Sequence, residues 1–463
     1  PEDLVAIDNL KRLTKLSPVV VVAGSTALQR AMDELYDKIR QSGEVEDVFE
    51  DIKVISGDED DAEEVDLSPD KVSAEDAPIV KLVNLILQEA IKERATDVHI
   101  EPQSKIVNVR IRIDGVLQTI MTPPSTSLSG LVTRIKILSK LNIAERRLPQ
   151  DGRFTIKATN REIDVRVSIL PTVHGEKVVM RLLDKSAFSF NLRRLGFEQD
   201  MYSIFKRVIA QPYGMVVVSG PTGSGKTTSL YASLQEIKSE GINITTVEDP
   251  VEYQMDGVNQ VQTHEKIGLS FSASLRSILR QDPDVLLIGE IRDEETADIA
   301  VKFSLTGHLV FSTVHANDAA STITRLLDIG VKPFLVGSCL NLVMAQRLVR
   351  TICKNCKESY TPTKEELEMI GLDPSKVKGK EIFKGKGCSH CRNTGYHGRT
   401  GIFELILMSR VIRGLVFENA NEDVIRQKAL EEGMVSLRDN GIRKIFAGET
   451  SIAEILRSTF EDF

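Results

Sequence analysis

Residues 215–227 read Met215-Val216-Val217-Val218-Ser219-Gly220-Pro221-Thr222-Gly223-Ser224-Gly225-Lys226-Thr227. An apolar run of strand length leads into a glycine-rich loop that matches the phosphate-binding P-loop pattern in full. The glycines allow successive backbone N–H groups to point inward, and a following helix adds its positive N-terminal dipole. A helical pattern over 230–238 supplies that helix. The stretch therefore predicts a strand, a phosphate-binding loop and a helix in an α/β protein that binds a nucleotide.

The side chains of this loop predict how the nucleotide is held. We expect Lys226 to reach the β- and γ-phosphates and the Thr227 hydroxyl to ligate Mg²⁺. The predicted nucleotide-binding residues are Gly220, Pro221, Thr222, Gly223, Ser224, Gly225, Lys226, Thr227 and Thr228.

Three further apolar runs, over 244–247, 285–288 and 309–313, predict strands separated by helices, which is typical of a parallel sheet. Glu290 follows the run 285–288, with Gly289 in the place where a plain Walker B motif has its acid. We expect Glu290 to hold the Mg²⁺-bound water or to polarise the attacking water. The alternative is a surface acid at a strand end.

Two more groups are predicted at the same edge of the sheet, because the carboxyl ends of parallel strands meet there. The acidic box from Glu248 to Glu252 follows the run 244–247, and Pro250 fixes its turn. Either Glu248 or Glu252 could orient water, and a turn with exposed acids is the alternative. His315 follows the last strand and could sense the γ-phosphate by hydrogen bonding. His308 precedes that strand and is expected to be structural.

Cysteines form two Cys-x-x-Cys pairs, Cys353 with Cys356 and Cys388 with Cys391. Four thiolates in this spacing suit tetrahedral Zn²⁺ in a closed, structural site. Redox or disulfide chemistry is the alternative, which the reducing compartment expected for a P-loop ATPase disfavours. The fifth cysteine, Cys339, lies in an apolar helical pattern and is expected in the core.

The length of 463 residues suggests about three domains. Residues 1–43, with a strand over 19–22 and a helix over 27–39, are expected to be the remnant of a truncated N-terminal domain. Residues 44–70 hold thirteen acids and one base, so we interpret 44–72 as an acidic linker. The remaining chain has 58 bases against 54 acids, so its net charge of +4 decides little about partners.

Residues 73–190 predict an α+β domain. A helix is expected over 78–93, and the strands 107–115 and 162–169 alternate between an apolar face and a polar, arginine-bearing face. The polar face is either a solvated surface or a face directed at a ligand.

Residues 195–463 are predicted to be the P-loop ATPase domain, with a tetracysteine subdomain at 350–395 and helices at 410–463. No run of 18 uninterrupted apolar residues occurs, which excludes a membrane-spanning helix by that criterion.

Taken together, these motifs resemble the secretion/pilus ATPase superfamily of type II/IV secretion traffic ATPases. The P-loop, the acidic box, the Walker B form at 289–293 and the His box at 306–318 occur in the order of that family. Upstream, residues 95–102, 112–115 and 150–153 look like its N-terminal regulatory domain. The tetracysteine and residues 398–404 look like its C-terminal elements.

The resemblance implies an α/β fold with a RecA-like P-loop core and a parallel-rich sheet. A PAS-like α+β regulatory domain would precede it, with a small zinc-binding insertion and a helical C-terminal part. It implies the cofactors ATP, Mg²⁺ and Zn²⁺, with Thr227 and Glu290 as the magnesium residues. It also implies a hexameric ring motor in the cytoplasm, peripheral at the inner membrane of a bacterium and bound to a platform protein there. Arg112, Arg166 and Arg181 are carried over as candidate arginine fingers, which would neutralise charge on the γ-phosphate.

Several alternatives stay open at this stage. The cysteine pairs favour a pilus assembly or type II secretion motor over a retraction motor, and residues 77–84 and 341–348 look more like the pilus assembly branch. A nucleic-acid translocase is disfavoured by the nearly neutral remainder and the absence of Trp. A nucleotide-gated scaffold without turnover is disfavoured because both candidate catalytic acids are present.

Overall fold

The computed structural model describes residues 52–56, 63–66, 77–158, 161–184, 190–377 and 379–459. The chain divides into two compact units, one formed by the residues up to 186 except 114–116, the other by those three residues and everything from 187 onward. The strand predicted at 19–22, the helix predicted at 27–39 and the proposed N-terminal remnant lie outside the described residues. No helix among the described ranges combines the length and the apolar character needed to cross a membrane.

The first unit is built on an antiparallel sheet. Its strands are β1 (Ile52–Ser56), β2 (Glu63–Asp66), β3 (Asp97–Pro102), β4 (Val107–Ile113), β5 (Val116–Met121), β6 (Gln150–Ala158), β7 (Arg161–Thr172) and β8 (Gly175–Asp184), and its helices are α1 (Ala77–Lys92) and α2 (Leu128–Leu138). The strands lie in the order β2-β1-β6-β7-β8-β3-β4-β5. Both helices share one apolar cluster with the sheet, so this face of the sheet forms the core of the unit.

The predicted alternation in this sheet is confirmed. Val107, Val109 and Ile111 of β4 are fully buried, whereas Asn108 and Arg110 between them are half-buried. Successive residues of a strand point to opposite faces, so one face packs against the helices and the other carries the polar side chains.

Two strands lie in the segment that the sequence assigns to an acidic linker. The strand β1 pairs antiparallel with β6, from Ile52 opposite Ala158 to Ser56 opposite Phe154, and β2 pairs with β1. The segment 52–55 contains three β-branched residues, which favour an extended strand. The linker interpretation rested on the net charge of the whole segment and did not consider these few β-branched residues.

The second unit contains a seven-stranded sheet. Its strands are β9 (Gly214–Ser219), β10 (Ile244–Glu248), β11 (Asn259–Gln262), β12 (Val285–Ile288), β13 (Leu309–Val314), β14 (Leu340–Ile352) and, after a two-stranded insertion, β17 (Tyr396–Leu407). The order is β11-β10-β12-β13-β9-β14-β17. Each neighbouring pair from β11 to β14 is parallel, and β17 pairs antiparallel with β14. The predicted α/β class with a parallel-rich sheet is confirmed.

Both faces of this sheet are covered. Met215 and Val217 of β9 belong to one buried cluster, while Val216 and Val218 belong to the cluster on the other face. A strand buried on both sides reads as a continuous apolar run, which is why its signal in the sequence is strong. The helices around this sheet are α3 (Gln199–Ile209), α4 (Lys226–Ile237), α5 (Phe271–Ile278), α6 (Glu294–Leu305), α7 (Ala319–Asp328) and α8 (Pro333–Cys339).

The rest of the chain forms the insertion and the C-terminal helices. The insertion contains the hairpin strands β15 (Lys357–Tyr360) and β16 (Ile382–Gly385) with the helices α9 (Lys364–Ile370) and α10 (Pro374–Val377). The helical tail comprises α11 (Arg410–Phe417), α12 (Glu422–Glu431), α13 (Leu437–Phe446) and α14 (Ile452–Ser458). Short 3₁₀ turns occur at Ser125–Ser127, Leu192–Leu195, Glu265–Ile267 and Ser389–Cys391.

Candidate active site

The P-loop connects β9 to α4 in a backbone conformation that requires glycine. Gly220, Gly223 and Gly225 have φ angles of +141°, +79° and +89°, which L side chains rarely adopt. A Cβ atom at Gly220 would also lie 2.4 Å from the backbone oxygen of Gln346. Pro221 and Thr222 are exposed, Ser224 is buried, and Thr227 and Thr228 are half-buried in the first turn of α4. The predicted strand, loop and helix are therefore present.

Lys226 is the first residue of α4 and lies against the loop. Its Nζ donates to the backbone oxygens of Gly220 at 2.6 Å and Pro221 at 3.2 Å. Burial lowers the pKa of Lys226, and the negative charge of Glu290 opposes that shift. The predicted phosphate-binding lysine and the predicted Walker B acid therefore interact electrostatically.

Glu290 follows β12, and its side chain is 15% exposed. Its Oε2 lies 3.6 Å from Nε2 of His315, and its Oε1 forms an ion pair with Nη2 of Arg292. Burial, together with the charge of Lys226, lowers the pKa of His315. A neutral imidazole beside a carboxylate can take part in hydrogen bonding to a water or a phosphate oxygen. The structure thus brings together Lys226, Glu290 and His315.

The acidic-box residues differ in their surroundings. Glu248, at the end of β10, is 4% exposed and accepts hydrogen bonds from Tyr231 at 2.5 Å, Thr246 at 2.6 Å and Gln260 at 3.3 Å. Burial raises the pKa of Glu248, and these three donors counteract the increase. Glu252 is half-buried beyond the turn. Three donors engage Glu248, so its carboxyl is buried and hydrogen-bonded at the end of β10.

The two histidines of the His box have different surroundings. His308 stacks on Phe303 with 4.1 Å between ring centroids, and its Nδ1 lies 3.1 Å from the backbone oxygen of Phe303. Only His315 stands next to Glu290.

Gln346 of β14 supports the P-loop, and no motif in the sequence marked it for this role. It is 1% exposed, and its Oε1 accepts a hydrogen bond from the Ser229 hydroxyl of α4 at 2.7 Å. Its backbone oxygen lies where a side chain at residue 220 would have to be. Since β14 is adjacent to β9 in the sheet, only the strand order reveals this contact.

The three candidate arginine fingers lie in one row across the sheet of the first unit. In the strand pairing Arg166 stands opposite Arg181, Arg181 opposite Asp97, and Asp97 opposite Arg112. Asp97 forms ion pairs with Nε of Arg112 at 3.6 Å and Nε of Arg181 at 3.2 Å. Arg153 extends the row as the partner of Arg166. Directly opposed residues share a face, so four arginines and one aspartate line the same side of the sheet.

The four predicted metal-ligating cysteines form a cluster whose Sγ atoms all lie within 4.8 Å of one another. The Sγ–Sγ distances are 3.9 Å for Cys353–Cys388 and 3.7 Å for both Cys356–Cys391 and Cys388–Cys391. A tetrahedral Zn²⁺ with Zn–S bonds of about 2.3 Å places its sulfurs about 3.8 Å apart, so these residues fit the ion. None of the four forms a disulfide in this structure, so their geometry favours the metal site over the disulfide alternative.

The sulfurs also receive hydrogen bonds of the kind that favours thiolates. Burial by itself would raise the pKa of Cys391, but the backbone N–H groups of Cys388 and Gly395 donate to its sulfur and bring its pKa down to about 7. The N–H of Gly387 donates to Cys356 at 3.3 Å. Cys339 lies apart from this cluster, at the end of α8, and is buried as predicted.

The fold is similar to those of two solved proteins, an ATPase and a pilus motor. The ATPase DotB of Legionella pneumophila aligns over 81% of this chain and 94% of its own, with a TM-score of 0.59 and 18% identity. The pilus retraction motor PilT aligns over 80% of this chain and 95% of its own, with a TM-score of 0.53 and 23% identity. At these identities the likeness establishes the fold alone.

Sequence comparison establishes the family. The family model described as type II/IV secretion system protein matches residues 72–457. The type IV pilus assembly ATPase PilB of Myxococcus xanthus is 46% identical over 466 aligned residues, which cover 100% of this chain and 81% of the relative. The type II secretion system ATPase E of Vibrio cholerae is 44% identical over 100% of this chain and 91% of the relative. The chain therefore belongs to the type II/IV secretion ATPase family and is an ATP hydrolase.

Proposed function

We propose that this chain is the motor ATPase of type IV pilus assembly, acting as a hexameric ring at the cytoplasmic face of a bacterial inner membrane. The observation that carries the enzymatic part is the proximity of Lys226, Glu290 and His315 at the carboxyl ends of the parallel strands. The pilus part is supported by the relative PilB, which is 46% identical over the whole chain. Domain closure around ATP would then perform work on a membrane platform protein.

In this proposal the site residues divide the tasks of binding the phosphates, holding Mg²⁺ and orienting water. The P-loop backbone and Lys226 bind the β- and γ-phosphates, and Thr227 with Glu290 holds Mg²⁺. Glu290 also orients the attacking water, and His315 hydrogen-bonds the γ-phosphate or that water. Glu252 is the second candidate for orienting water. Glu248 supports the end of β10, because its three donors already occupy its carboxyl oxygens.

Charge stabilisation is assigned to the arginine row of the first unit. Arg112, Arg166 and Arg181 are the candidate fingers, and Arg153 is a fourth candidate added by the strand register. Of the two arginines that flank Asp97, Arg181 has the more exposed side chain, at 56% against 35% for Arg112. We therefore rank Arg181 above Arg112 as the finger, which would exchange its ion pair with Asp97 for one with a phosphate.

The cysteine cluster is proposed to hold one structural Zn²⁺. Cys353, Cys356, Cys388 and Cys391 supply all four ligands, which leaves no open coordination position for catalysis. The ion would fasten the insertion between β14 and β17, because two ligands follow β14 and two precede β17.

Hydrolysis tests the enzymatic part. Mg²⁺-dependent ATP turnover is measured against protein concentration for the wild type, for Glu290→Gln and for Glu368→Gln, an exposed surface glutamate in α9. We expect specific activity to rise with concentration as rings form, Glu290→Gln to bind ATP without turnover, and Glu368→Gln to match the wild type. An active Glu290→Gln enzyme would transfer the role of orienting water to Glu252.

Type II secretion is the second candidate, favoured by the 44% identity to the ATPase of Vibrio cholerae over the whole chain. The two roles are separated by expressing the full-length protein in a strain that lacks its pilus assembly ATPase and in one that lacks its type II secretion ATPase. Restored pili without restored export supports the proposal. Restored export without pili would replace it with the second candidate.

A further inference from the structure

The chain segment after β13, His315–Ala319, connects the catalytic edge to the C-terminal part of the second unit. We call it the His315 segment. At its near end the hydroxyl of Thr313 donates to the backbone oxygen of Gly289 at 2.7 Å, and His315 lies 3.6 Å from Glu290. The position of His315 relative to Glu290 therefore depends on where this segment is fixed.

The far end of the segment is fixed by a buried carboxylate of β17. Glu404 is 2% exposed, and its Oε1 accepts a hydrogen bond from the backbone N–H of Ala319 at 2.9 Å. Its Oε2 accepts from the N–H of Leu437 at 3.2 Å. These N–H groups open α7 and α13, so a single carboxylate joins the positive ends of two helices.

A second attachment comes from α12. Nη2 of Arg426 donates to Oδ2 of Asp318 at 2.7 Å, and the other oxygen of Asp318 accepts from the N–H of Ser321 as the N-cap of α7. The side chains of Asp318 and Arg426 are 14% and 26% exposed, so this pair is partly shielded from water. Charge-assisted hydrogen bonds in such surroundings are stronger than those between exposed groups.

Removing Arg426 would also leave the negative charges of Asp318 and Glu422 near each other without a compensating cation. Arg426 is paired with Glu422 as well as with Asp318. Burial raises the pKa of both Glu404 and Glu422, and the negative charge of Asp318 adds to each increase, so Asp318 repels both carboxyls. Without Arg426 that repulsion would act directly on the His315 segment.

We propose that Glu404 and Arg426 are positioning residues: they hold the His315 segment from the C-terminal side and so place His315 against Glu290. The inference rests on the proposed roles of His315 and Glu290 in hydrolysis. It makes α12 and β17 part of the machinery that sets the turnover rate, although neither element contacts the nucleotide-binding loop through these residues.

The test is a double-mutant cycle in the full chain. Arg426→Met is combined with His315→Ala, and kcat, KM for ATP and the Kd of a fluorescent ATP analogue are measured for each variant. We expect Arg426→Met to lower kcat about tenfold with KM and Kd changed less than about twofold, because a small displacement of a catalytic group costs rate rather than binding. In the His315→Ala background Arg426→Met should have no further effect.

Controls keep the outcomes separate. Lys428→Met removes an exposed cation from the same helix and should leave kcat unchanged. Asp318→Asn keeps the oxygen that caps α7 but loses the acceptor for Arg426, so it should reproduce the kcat effect if Arg426→Met folds poorly.

Two results would overturn the inference: a wild-type kcat in both Arg426→Met and Asp318→Asn, or an effect of Arg426→Met that multiplies with that of His315→Ala. A merely structural role gives the second result, since loss of folded protein scales every background alike. If His315→Ala keeps full turnover, the proposed role of His315 in hydrolysis has failed. If His315→Ala loses turnover but Arg426→Met does not, the role of His315 stands and only the positioning role of Arg426 has failed.

Discussion

Tyr231→Phe offers a sharp test of the interpretation that Glu248 is structural. Tyr231 is fully buried in α4, and its hydroxyl donates to Oε2 of Glu248 at 2.5 Å. Phenylalanine fills the same volume, so the substitution removes this hydrogen bond and the longer one that the hydroxyl accepts from Nε2 of Gln260 at 3.4 Å. Thr246 and Gln260 would remain as the donors to Glu248.

The expected loss of stability follows from that bond. A buried hydrogen bond to a charged acceptor contributes about 1.5–3 kcal/mol to the free energy of unfolding. For a unit of more than 200 residues, 1 kcal/mol shifts Tm by about 2 °C, so Tm should fall by about 3–6 °C. Tyr213→Phe, at an exposed tyrosine, should leave Tm unchanged.

The loss should depend on pH. Burial raises the pKa of Glu248, and the Tyr231 hydroxyl is one of the groups that lower it again. In Tyr231→Phe the folded-state pKa is therefore higher still. A carboxyl whose folded pKa exceeds its unfolded pKa lowers stability as pH rises through the folded value, because the buried group must then ionise. The Tm difference between wild type and variant should thus be larger at pH 8 than at pH 5.5.

Thermal unfolding followed by far-UV circular dichroism at both pH values, with ATP turnover at 25 °C, gives the answer. We expect a lower Tm and a kcat within about threefold of the wild type, because Glu248 supports β10 without touching the water. A kcat reduced about a hundredfold with an unchanged Tm would refute this reasoning and assign Glu248 to catalysis.

Three further outcomes can be checked with single variants. Lys226→Ala should reduce turnover by at least about 10²-fold and weaken binding of a fluorescent ATP analogue, because a preorganised positive charge at the phosphates is lost; normal turnover would contradict the P-loop assignment. Cys356→Ser should lower the zinc content measured by plasma mass spectrometry and reduce Tm, whereas an unchanged metal content would rule out the four-cysteine site. Glu454→Gln should destabilise the second unit by about 3–5 kcal/mol, because the fully buried Glu454 binds both Arg350 and Arg457; an unchanged Tm would show that the two arginines find other partners.

Much of the fold could be predicted because its signals are local. The strands β9, β10, β12 and β13 are buried on both faces and therefore appear as apolar runs, and the P-loop glycines are required by a backbone that no other residue adopts easily. The acids and His315 could be placed at one edge of the sheet, since all follow parallel strands. The cysteine spacing predicted the thiol cluster for the same local reason.

The remainder depends on contacts between residues distant in sequence. Gln346 supports the P-loop only because β14 lies next to β9, and the arginine row exists only because of the register of the strands β6, β7, β8, β3 and β4. Glu248 is a candidate catalytic acid by its position in the sequence, and two of its three donors, Tyr231 and Gln260, come from other elements. No local pattern carries that information.

The position of β9 between β13 and β14 in its sheet has a consequence for synthesis of the protein. This strand pairs on one side with β13, starting at Leu309, and on the other with β14, starting at Leu340. At about 5–20 residues per second, a ribosome needs roughly 6–25 s after β9 to make its second neighbour. Throughout that interval the apolar segment that later carries the ATP-binding loop has at least one unpaired edge. Slow translation between β9 and β14, or the absence of a chaperone that binds apolar strands, should therefore reduce the yield of folded protein.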